Sequence, residues 1–187
     1  YIGNVSVIQA ADAPSIPVLQ FPVDGANLSS IPQFNWSNST DPNGDVITYV
    51  LEIDNGADFT SSEYYNGSIA ETNNPTEDTS ISLTDDGLYY WHVRASDGGI
   101  NSSFSVARSF VLDRNPPSIS LVFPLNNTNL TTSNTNFTWN ATDNLNYNIY
   151  CNLTLDGSAN VSNFLSQNGN NTNYTVLNLA DGVHYWN

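Results

Sequence analysis

Hydrophobic and polar side chains alternate along several short stretches of this chain. Phe34 and Trp36 stand two residues apart, and a second alternating run follows, which comprises Ile47, Tyr49, Leu51 and Ile53. A period of two residues places the members of each set on one face of an extended strand. Pro, Asn and Gly at positions 42–44, between the two runs, are turn formers. The pattern therefore predicts two β-strands joined by a turn.

The same reasoning predicts further strands in the first part of the chain. The complete set comprises strands at 18–21, 33–36, 46–53, 80–83, 87–95 and 106–112. In the strand at 87–95, Tyr89, Trp91 and Val93 share one face, which we expect to be the core face. Residues 54–79 are rich in Asn, Gly, Ser and Thr and leave room for one or two short edge strands.

Internal repetition indicates more than one domain. Phe137 and Trp139 repeat the Phe-x-Trp motif of Phe34 and Trp36. Proline-containing breaks at 12–17 and 115–119 each precede matching segments. In the second copy, strands are predicted at 137–139, 149–155 and 182–186. We therefore expect an isolated final strand with a linker at 1–13, a complete domain at 14–113, and a second domain lacking its final strand at 114–187.

The charge balance limits the choice of partners. The 187 residues carry 3 Lys and Arg against 18 Asp and Glu, a formal net charge of −15. Such a surface repels phosphate backbones and anionic lipid headgroups, which argues against nucleic acid and membrane surfaces as partners. No apolar run reaches the roughly 18 residues of a membrane span. We expect no membrane insertion in this segment.

A single cysteine, Cys151, excludes a disulfide within the chain. It stands between Ile149 and Leu153 in an alternating run, so a buried, small, apolar role is expected for it.

These framework residues resemble fibronectin type III and related Ig-like domains. The matching positions in the first domain are Trp36, Tyr49, Leu83, Gly87 and Tyr89, and those in the second are Trp139, Leu179 and Gly182. His184 stands where the family pattern would place a tyrosine. The resemblance implies an all-β fold of tandem Ig-like or fibronectin III-like antiparallel β-sandwiches. The Asn- and Thr-rich repeats are also similar to tandem modules of archaeal and some bacterial cell-surface proteins.

Acceptor sites for N-linked glycans, Asn-x-Ser/Thr, are roughly twice as frequent as this composition gives by chance. These sequons begin at Asn4, Asn27, Asn35, Asn38, Asn66, Asn101, Asn126, Asn129, Asn136, Asn140, Asn152, Asn160, Asn170 and Asn173. Chance occurrence of the tripeptide in Asn-rich turns accounts for about half of these sequons. We expect many to carry covalent N-glycans, which places the chain outside the cell. Asn35 and Asn152 should face outward, because both their neighbours face the core.

The segment Asp41-Pro42-Asn43-Gly44-Asp45 is a candidate calcium loop. Asp41, Asn43 and Asp45 present oxygen atoms at alternate positions, the spacing by which loops bind a hard cation. The same residue types form ordinary turns, and a structural turn is the alternative. We expect no other cofactor.

Catalytic signatures are sparse. Neither His92 nor His184 stands near a nucleophile motif, and no phosphate-binding glycine loop occurs. Tyr64 and Tyr65 have no counterpart in the strand pattern and are candidate sugar-binding residues.

The sequence predicts a non-enzymatic, extracellular structural protein of a surface filament, stalk or surface layer. The strand containing Val5, Val7 and Ile8 is a candidate for polymerisation, in which residues 1–11 add to the incomplete second domain of a neighbouring copy. The alternative is that neighbouring domains of one long chain supply the missing strand. An adhesin or a carbohydrate-binding accessory module of a larger secreted protein is the competing functional class.

Overall fold

A computed structural model describes residues 11–145 and 148–187. The chain falls into two units, Tyr1–Arg114 and Asn115–Asn187. Every regular element among the described residues is a β-strand. The chain is therefore all-β, as the alternating pattern predicted.

Among the described residues of the first unit there are eight strands. They are β1 (Leu19–Phe21), β2 (Ala26–Leu28), β3 (Phe34–Trp36), β4 (Thr48–Asp54), β5 (Tyr64–Ala70), β6 (Thr76–Asp78), β7 (Gly87–Ser96) and β8 (Arg108–Leu112). One sheet has the order β1-β3-β6 and the other the order β2-β8-β7-β4-β5. The pairs are antiparallel except β2 with β8, which are parallel.

The core of the first unit lies between these two sheets. Phe34 and Trp36 of β3 and Trp91 of β7 have no exposed surface. The rings of Phe34 and Trp91 meet edge to face with their centroids 4.9 Å apart. Because each large aromatic side chain buries roughly 150–250 Å², a few of them account for much of this core. The residues predicted from alternation to face inward do so.

The predicted strand at 80–83 is wrong. No strand covers these residues, and the sheet position is taken by β6, although Ile81 and Leu83 are buried as their apolar character requires. Asp78 Oδ1 accepts hydrogen bonds from the backbone nitrogen and the hydroxyl of Ser80, at 2.8 and 2.6 Å. Such local side-chain bonds compete with the sheet for the backbone groups and end the strand.

The described part of the second unit contains five strands. They are β9 (Ser118–Phe123), β10 (Thr135–Thr142), β11 (Asn148–Leu155), β12 (Ser158–Gln167) and β13 (Asn171–Val176). The sheets have the orders β13-β10-β9 and β11-β12. The first order repeats β6-β3-β1 of the first unit, and β11-β12 repeats β4-β5. The repetition in sequence therefore corresponds to a repetition in topology.

The core of the second unit contains Phe137 and Trp139 of β10 and Cys151 of β11. The indole nitrogen of Trp139 donates to Ser166 Oγ at 2.9 Å in a buried position. The buried role predicted for Cys151 is confirmed.

The predicted strand at 182–186 is also wrong. Within the described part of the chain, this segment makes only an isolated bridge between Trp186 and Leu155. Asp156 Oδ1 accepts the backbone nitrogen of Tyr185 at 2.9 Å, so a side chain takes a bond that a neighbouring strand would use. Three strands of the second unit were not predicted, since a proline pair precedes β9 and polar residues dominate β12 and β13. The short strand β2 of the first unit was not predicted either.

Candidate glycosylation surface and strand edges

Several sequon asparagines stand free on the surface. They are exposed, and their side chains make no hydrogen bond to another described residue; this group comprises Asn27, Asn101, Asn126, Asn129 and Asn160. Asn35 is half-buried on the outer side of β3, between the buried rings of Phe34 and Trp36. An asparagine that projects into solvent leaves its amide nitrogen accessible to a modifying enzyme. Asn4 lies outside the described residues.

Two further sequon asparagines are exposed and make one side-chain bond each. Asn152 Oδ1 accepts the backbone nitrogen of Asn163 at 2.9 Å. Asn170 Nδ2 donates to Gln167 Oε1 at 3.3 Å. Asn152 faces outward from β11, as alternation with Cys151 and Leu153 predicted.

In contrast, three half-buried sequon asparagines donate the amide nitrogen, Nδ2, to a backbone carbonyl or a carboxylate. Asn38 Nδ2 donates to the carbonyl of Thr72 at 2.9 Å, and Asn140 Nδ2 donates to the carbonyl of Gly169 at 2.8 Å. Asn66 Nδ2 donates to Asp78 Oδ2 at 2.9 Å. Since glycan attachment replaces a hydrogen on Nδ2, these bonds oppose modification at the three positions.

Asn66 belongs to a polar cluster that joins the two sheets of the first unit. Asp78 of β6 is 5% exposed, and its Oδ2 also accepts the hydroxyl of Tyr64 at 2.8 Å. The Tyr64 hydroxyl lies 2.8 Å from Ser80 Oγ. Burial raises the pKa of Tyr64. The pKa of Asp78 lies below its ordinary value, because hydrogen bonds, led by those from Ser80, outweigh the effect of burial.

This cluster changes the interpretation of the two candidate sugar-binding tyrosines. Both lie in β5 and not in an irregular stretch. The Tyr64 hydroxyl is hydrogen-bonded to Asp78, whereas Tyr65 is 57% exposed. Only Tyr65 retains a free aromatic surface of the kind that stacks on a sugar.

The candidate calcium loop forms a turn that its own carboxylate organises. Asp41 Oδ1 accepts the backbone nitrogens of Asn43 and Asp45, at 2.8 and 3.1 Å. Asn43 Oδ1 accepts the backbone nitrogen of Asp12 at 2.8 Å. These bonds account for Asp41 and Asn43 as turn residues without a cation. Calcium binding there stays a prediction.

No group of three or more His, Cys, Asp or Glu side chains within residues 11–145 and 148–187 is arranged to hold a metal ion. The same residues contain no helix of the length and apolarity that crossing a membrane requires.

Tyr89 and His184 make the same kind of contact despite their different side chains. The hydroxyl of Tyr89 donates to the carbonyl of Asp85, four residues earlier, at 2.9 Å. His184 Nε2 lies 2.9 Å from the carbonyl of Ala180, also four residues earlier. His184 thus takes the place of the corner tyrosine in the second unit.

The other ring nitrogen of His184 also faces an acceptor. Nδ1 lies 2.6 Å from Asp156 Oδ2. With acceptors at both nitrogens, the ring is best satisfied as the doubly protonated imidazolium. The Asp156 carboxylate, followed by the Ala180 carbonyl, raises the pKa of His184, and His184 in turn lowers the pKa of Asp156.

Sequence reasoning missed an aromatic stack on the outer face of the five-stranded sheet. The His92 ring lies between Phe59 and Phe104, with centroids 3.6 and 3.8 Å away and nearly parallel planes. His92 Nε2 lies 2.9 Å from Glu52 Oε2, and the Arg94 guanidinium lies over the Phe104 ring. Burial lowers the pKa of His92, an effect that Glu52 partly offsets. Phe59 and Phe104 belong to two separate loops and His92 to β7, so no local sequence pattern predicts the stack.

The polymerisation strand proposed at Val5, Val7 and Ile8 lies outside the described residues. The second domain, to which this strand would add, does lie within the described residues apart from 146 and 147. β11 pairs with β12 on one side, and on the other side only its last residues are bonded, through Thr154 with Asn187. Among the described residues, the remainder of that edge, Asn148–Leu153, has no strand partner.

Strand β9 is exposed along its whole length. Its apolar side chains Ile119, Leu121 and Phe123 are 55%, 45% and 39% exposed. An unpaired edge and uncovered apolar side chains in one unit mark a surface that another strand could cover.

Comparison with known proteins gives structural neighbours only. No protein-family model matches the chain, and no curated protein matches its sequence. The fibronectin(III)-like modules of CbhA from Clostridium thermocellum are 17% identical over 90% of this chain and 82% of theirs, with a TM-score of 0.40. The FN1–FN3 domains of chicken CNTN1 are 13% identical over 89% of this chain and 56% of theirs, with a TM-score of 0.35. Similarities at this level carry no functional argument.

The fold of the chain follows from its own strand order. In the first unit, the first, third and sixth strands form one sheet, and the fourth, fifth, seventh and eighth lie in the other. A tyrosine at the start of β7 bonds back to the preceding turn, the corner that marks Ig-like sandwiches. The second unit repeats the pairing of its corresponding strands. The chain has a fibronectin type III-like, Ig-like β-sandwich fold.

Proposed function

We propose that this chain is part of a non-enzymatic, N-glycosylated extracellular protein that builds a surface filament, stalk or surface layer. The observation that carries the proposal is the position of the sequons. Most of them lie on exposed turns and outer strand faces, while the core of each unit holds the framework aromatic residues. Glycans at such positions leave the cores intact.

Glycosylation at these sites is chemically simple. Asparagine Nδ2 loses one of its two hydrogens as a proton and forms a bond to the anomeric carbon of a sugar. The bond from that carbon to the phosphate of a lipid-linked oligosaccharide breaks. The protein contributes accessibility of the amide and of the Ser or Thr hydroxyl two residues later.

The physical role that we assign to the glycans and the acidic surface is steric and electrostatic. A net charge of −15 keeps neighbouring surfaces apart and hydrated. Glycans on the outer faces of the sheets block face and edge association between copies. Both effects suit a protein held at high density on a cell surface, of the kind found on archaeal and some bacterial cells.

Mass spectrometry of the protein produced in a host that modifies Asn-x-Ser/Thr tests the glycoprotein assignment. We expect glycans at the free sequons, with Asn27, Asn101, Asn126 and Asn129 as the clearest group. Unmodified asparagine at all four would contradict the proposal. Enzymatic removal of the glycans should increase self-association, measured by sedimentation.

A finer proposal concerns assembly. We assign residues 1–11 of a neighbouring copy to the open edge of β11, where main-chain hydrogen bonds to Asn148–Leu153 would extend the two-stranded sheet. Val5, Val7 and Ile8 would bring apolar side chains toward the exposed side chains of β9. Because donor and acceptor surfaces differ, such contacts continue head to tail without closing.

Negative-stain microscopy of the chain beside a version lacking residues 1–11 tests this assembly. Filaments that vanish with the deletion are expected. Short particles from both proteins would refute strand addition by residues 1–11. In that case a neighbouring domain of a longer chain is the candidate for covering the β11 edge.

The exposed ring of Tyr65 is the one specific observation in favour of an adhesin or carbohydrate-binding module. Binding on a glycan array that is lost in Tyr65→Ala and retained in Tyr90→Ala would favour that class.

A further inference from the structure

Two sequons of the second unit face each other across paired strands. In the antiparallel pair β10–β13, Asn136 stands opposite Thr175, and Thr138 stands opposite Asn173. Thr138 completes the sequon of Asn136, and Thr175 completes the sequon of Asn173. All four side chains lie on the outer face of the sheet, because Phe137 and Tyr174 between them pack in or against the core.

The side chains of the two sequons bond to each other. Thr138 Oγ1 donates to Asn173 Oδ1 at 2.7 Å, and Thr175 Oγ1 donates to Asn136 Oδ1 at 3.4 Å. Asn136 Nδ2 donates to Asn173 Oδ1 at 3.3 Å. The hydroxyl of each sequon therefore contacts the asparagine of the other, and the two amides are in direct contact.

This contact leaves little room for two sugars. The side-chain amides of Asn136 and Asn173 lie within hydrogen-bond distance of each other. A sugar attached to one amide nitrogen therefore places a six-membered ring directly beside the other amide. Paired strands in a sheet are fixed about 4.7–4.9 Å apart, so the backbone cannot separate the two sites. A second sugar ring would have to occupy the same patch of the outer face.

We propose that Asn136 and Asn173 form one shared acceptor site, which carries a single N-linked glycan on either asparagine but not on both. The inference rests on the proposed glycoprotein function and adds a rule for occupancy that the sequence does not contain. The reaction is the transfer described above, from a lipid-linked oligosaccharide to one Nδ2.

The chain offers a matched control pair. Asn126 and Asn129 are two sequons close together in the segment between β9 and β10, both exposed, and neither side chain bonds to another described residue. A free pair of this kind can accept two glycans independently. Any crowding effect due only to closeness along the chain would appear in the control pair as well.

The test counts glycans per molecule by intact-mass spectrometry in Asn→Gln variants made in a glycosylating host. For the shared site, Asn136→Gln and Asn173→Gln should each keep the full number of glycans, because the remaining asparagine takes the sugar. The double variant should lose one. For the control pair, each single variant should lose one glycan and the double variant two.

Localisation of the glycans completes the test. No Lys or Arg follows Arg114 in this sequence, so tryptic cleavage leaves both sites on one peptide, and fragmentation shows directly whether one molecule carries both. Doubly modified molecules, or loss of a glycan in either single variant, would overturn the shared site while leaving the glycoprotein assignment intact. Absence of glycans from every sequon would overturn both.

Discussion

Tyr89 shows how one atom stabilises an element of the first unit. Its hydroxyl donates to the Asp85 carbonyl at 2.9 Å and fixes the turn that leads into β7. Burial raises the pKa of this tyrosine, so the hydroxyl stays protonated as a donor.

Replacing Tyr89 by Phe removes this hydrogen bond and preserves the ring. We expect the free energy of unfolding of the first unit to fall by about 1 kcal/mol, the typical net worth of such a bond. Urea denaturation measures the change. Tyr90→Phe is the control, because the Tyr90 hydroxyl makes no hydrogen bond to a described residue, and an equal loss in both variants would contradict the corner interpretation.

Asn66 is a sequon in sequence and a sheet-joining residue in structure. Its amide nitrogen donates to the buried carboxylate of Asp78 at 2.9 Å and to the Tyr64 hydroxyl at 3.4 Å, which uses both hydrogens. Modification at Asn66 would break one of these bonds.

We expect Asn66 to remain unmodified and Asn66→Ala to lower the free energy of unfolding by about 1.5–3 kcal/mol, the range for hydrogen bonds to charged groups. Asn101→Ala, at an exposed sequon, should leave stability unchanged. Glycopeptide analysis and thermal denaturation give the two measurements. A glycan on Asn66 of the folded protein would contradict the assignment.

At the scale of single elements, the loop at 41–45 can be interpreted either as a structural turn or as a calcium site. As a turn, it depends on Asp41, whose carboxylate accepts two backbone nitrogens. As a calcium site, it would depend on Asp41 and Asp45 alike.

Asp41→Ala should lower the free energy of unfolding by about 1 kcal/mol through loss of the turn bonds, whether calcium or a chelator is present. Asp45→Ala should have no effect, because the exposed Asp45 side chain makes no hydrogen bond to a described residue. Thermal denaturation with and without calcium, at equal ionic strength, distinguishes the interpretations. Stabilisation by calcium that disappears in both variants would establish the cation site.

The open strand edge of the second unit is also a property of whole elements. The apolar residues of β9 and the free part of the β11 edge are properties of a sheet, since each depends on which strands pair. A change in one residue would not create them. They are the reason for expecting an added strand at this edge.

At the scale of the whole molecule, the two units respond to pH in opposite directions. The pKa of His92 in the first unit lies below the ordinary value of 6.5, because burial between Phe59 and Phe104, with Arg94 nearby, outweighs the attraction of Glu52. The pKa of His184 in the second unit lies above 6.5, because Asp156 and the Ala180 carbonyl favour the charged ring.

The signs follow from linkage. The contribution of His92 to stability is full above pH 6.5 and is lost as the pH falls through its lowered folded-state pKa. The contribution of His184 is full below pH 6.5 and is lost as the pH rises through its raised folded-state pKa. Acidification should thus weaken the first unit and strengthen the second.

Hydrogen exchange followed by mass spectrometry measures each unit by its own peptides across pH 5–8. His92→Phe keeps a stacked ring without a proton and should remove the pH dependence of the first unit. His184→Tyr restores a corner hydroxyl and should remove that of the second. Parallel pH profiles of the two units in the unchanged protein would contradict this assignment.

The sequence by itself determined the all-β class, the inward-facing aromatic residues and the presence of a second, similar unit. These follow from a period of two residues and from turn formers, which act within a few positions of the chain. The buried Cys151 and the outward Asn152 follow from the same local rule.

Only the tertiary structure decided which polar residues have partners. Asn66 and Asn101 are alike as sequons, yet one bonds to a buried carboxylate and the other is exposed. The contact of Asn136 with Asn173 and the burial of His92 between two rings join residues far apart in the chain. A strand pattern fixes the face on which a side chain lies, whereas its partners depend on the register and loops of distant segments.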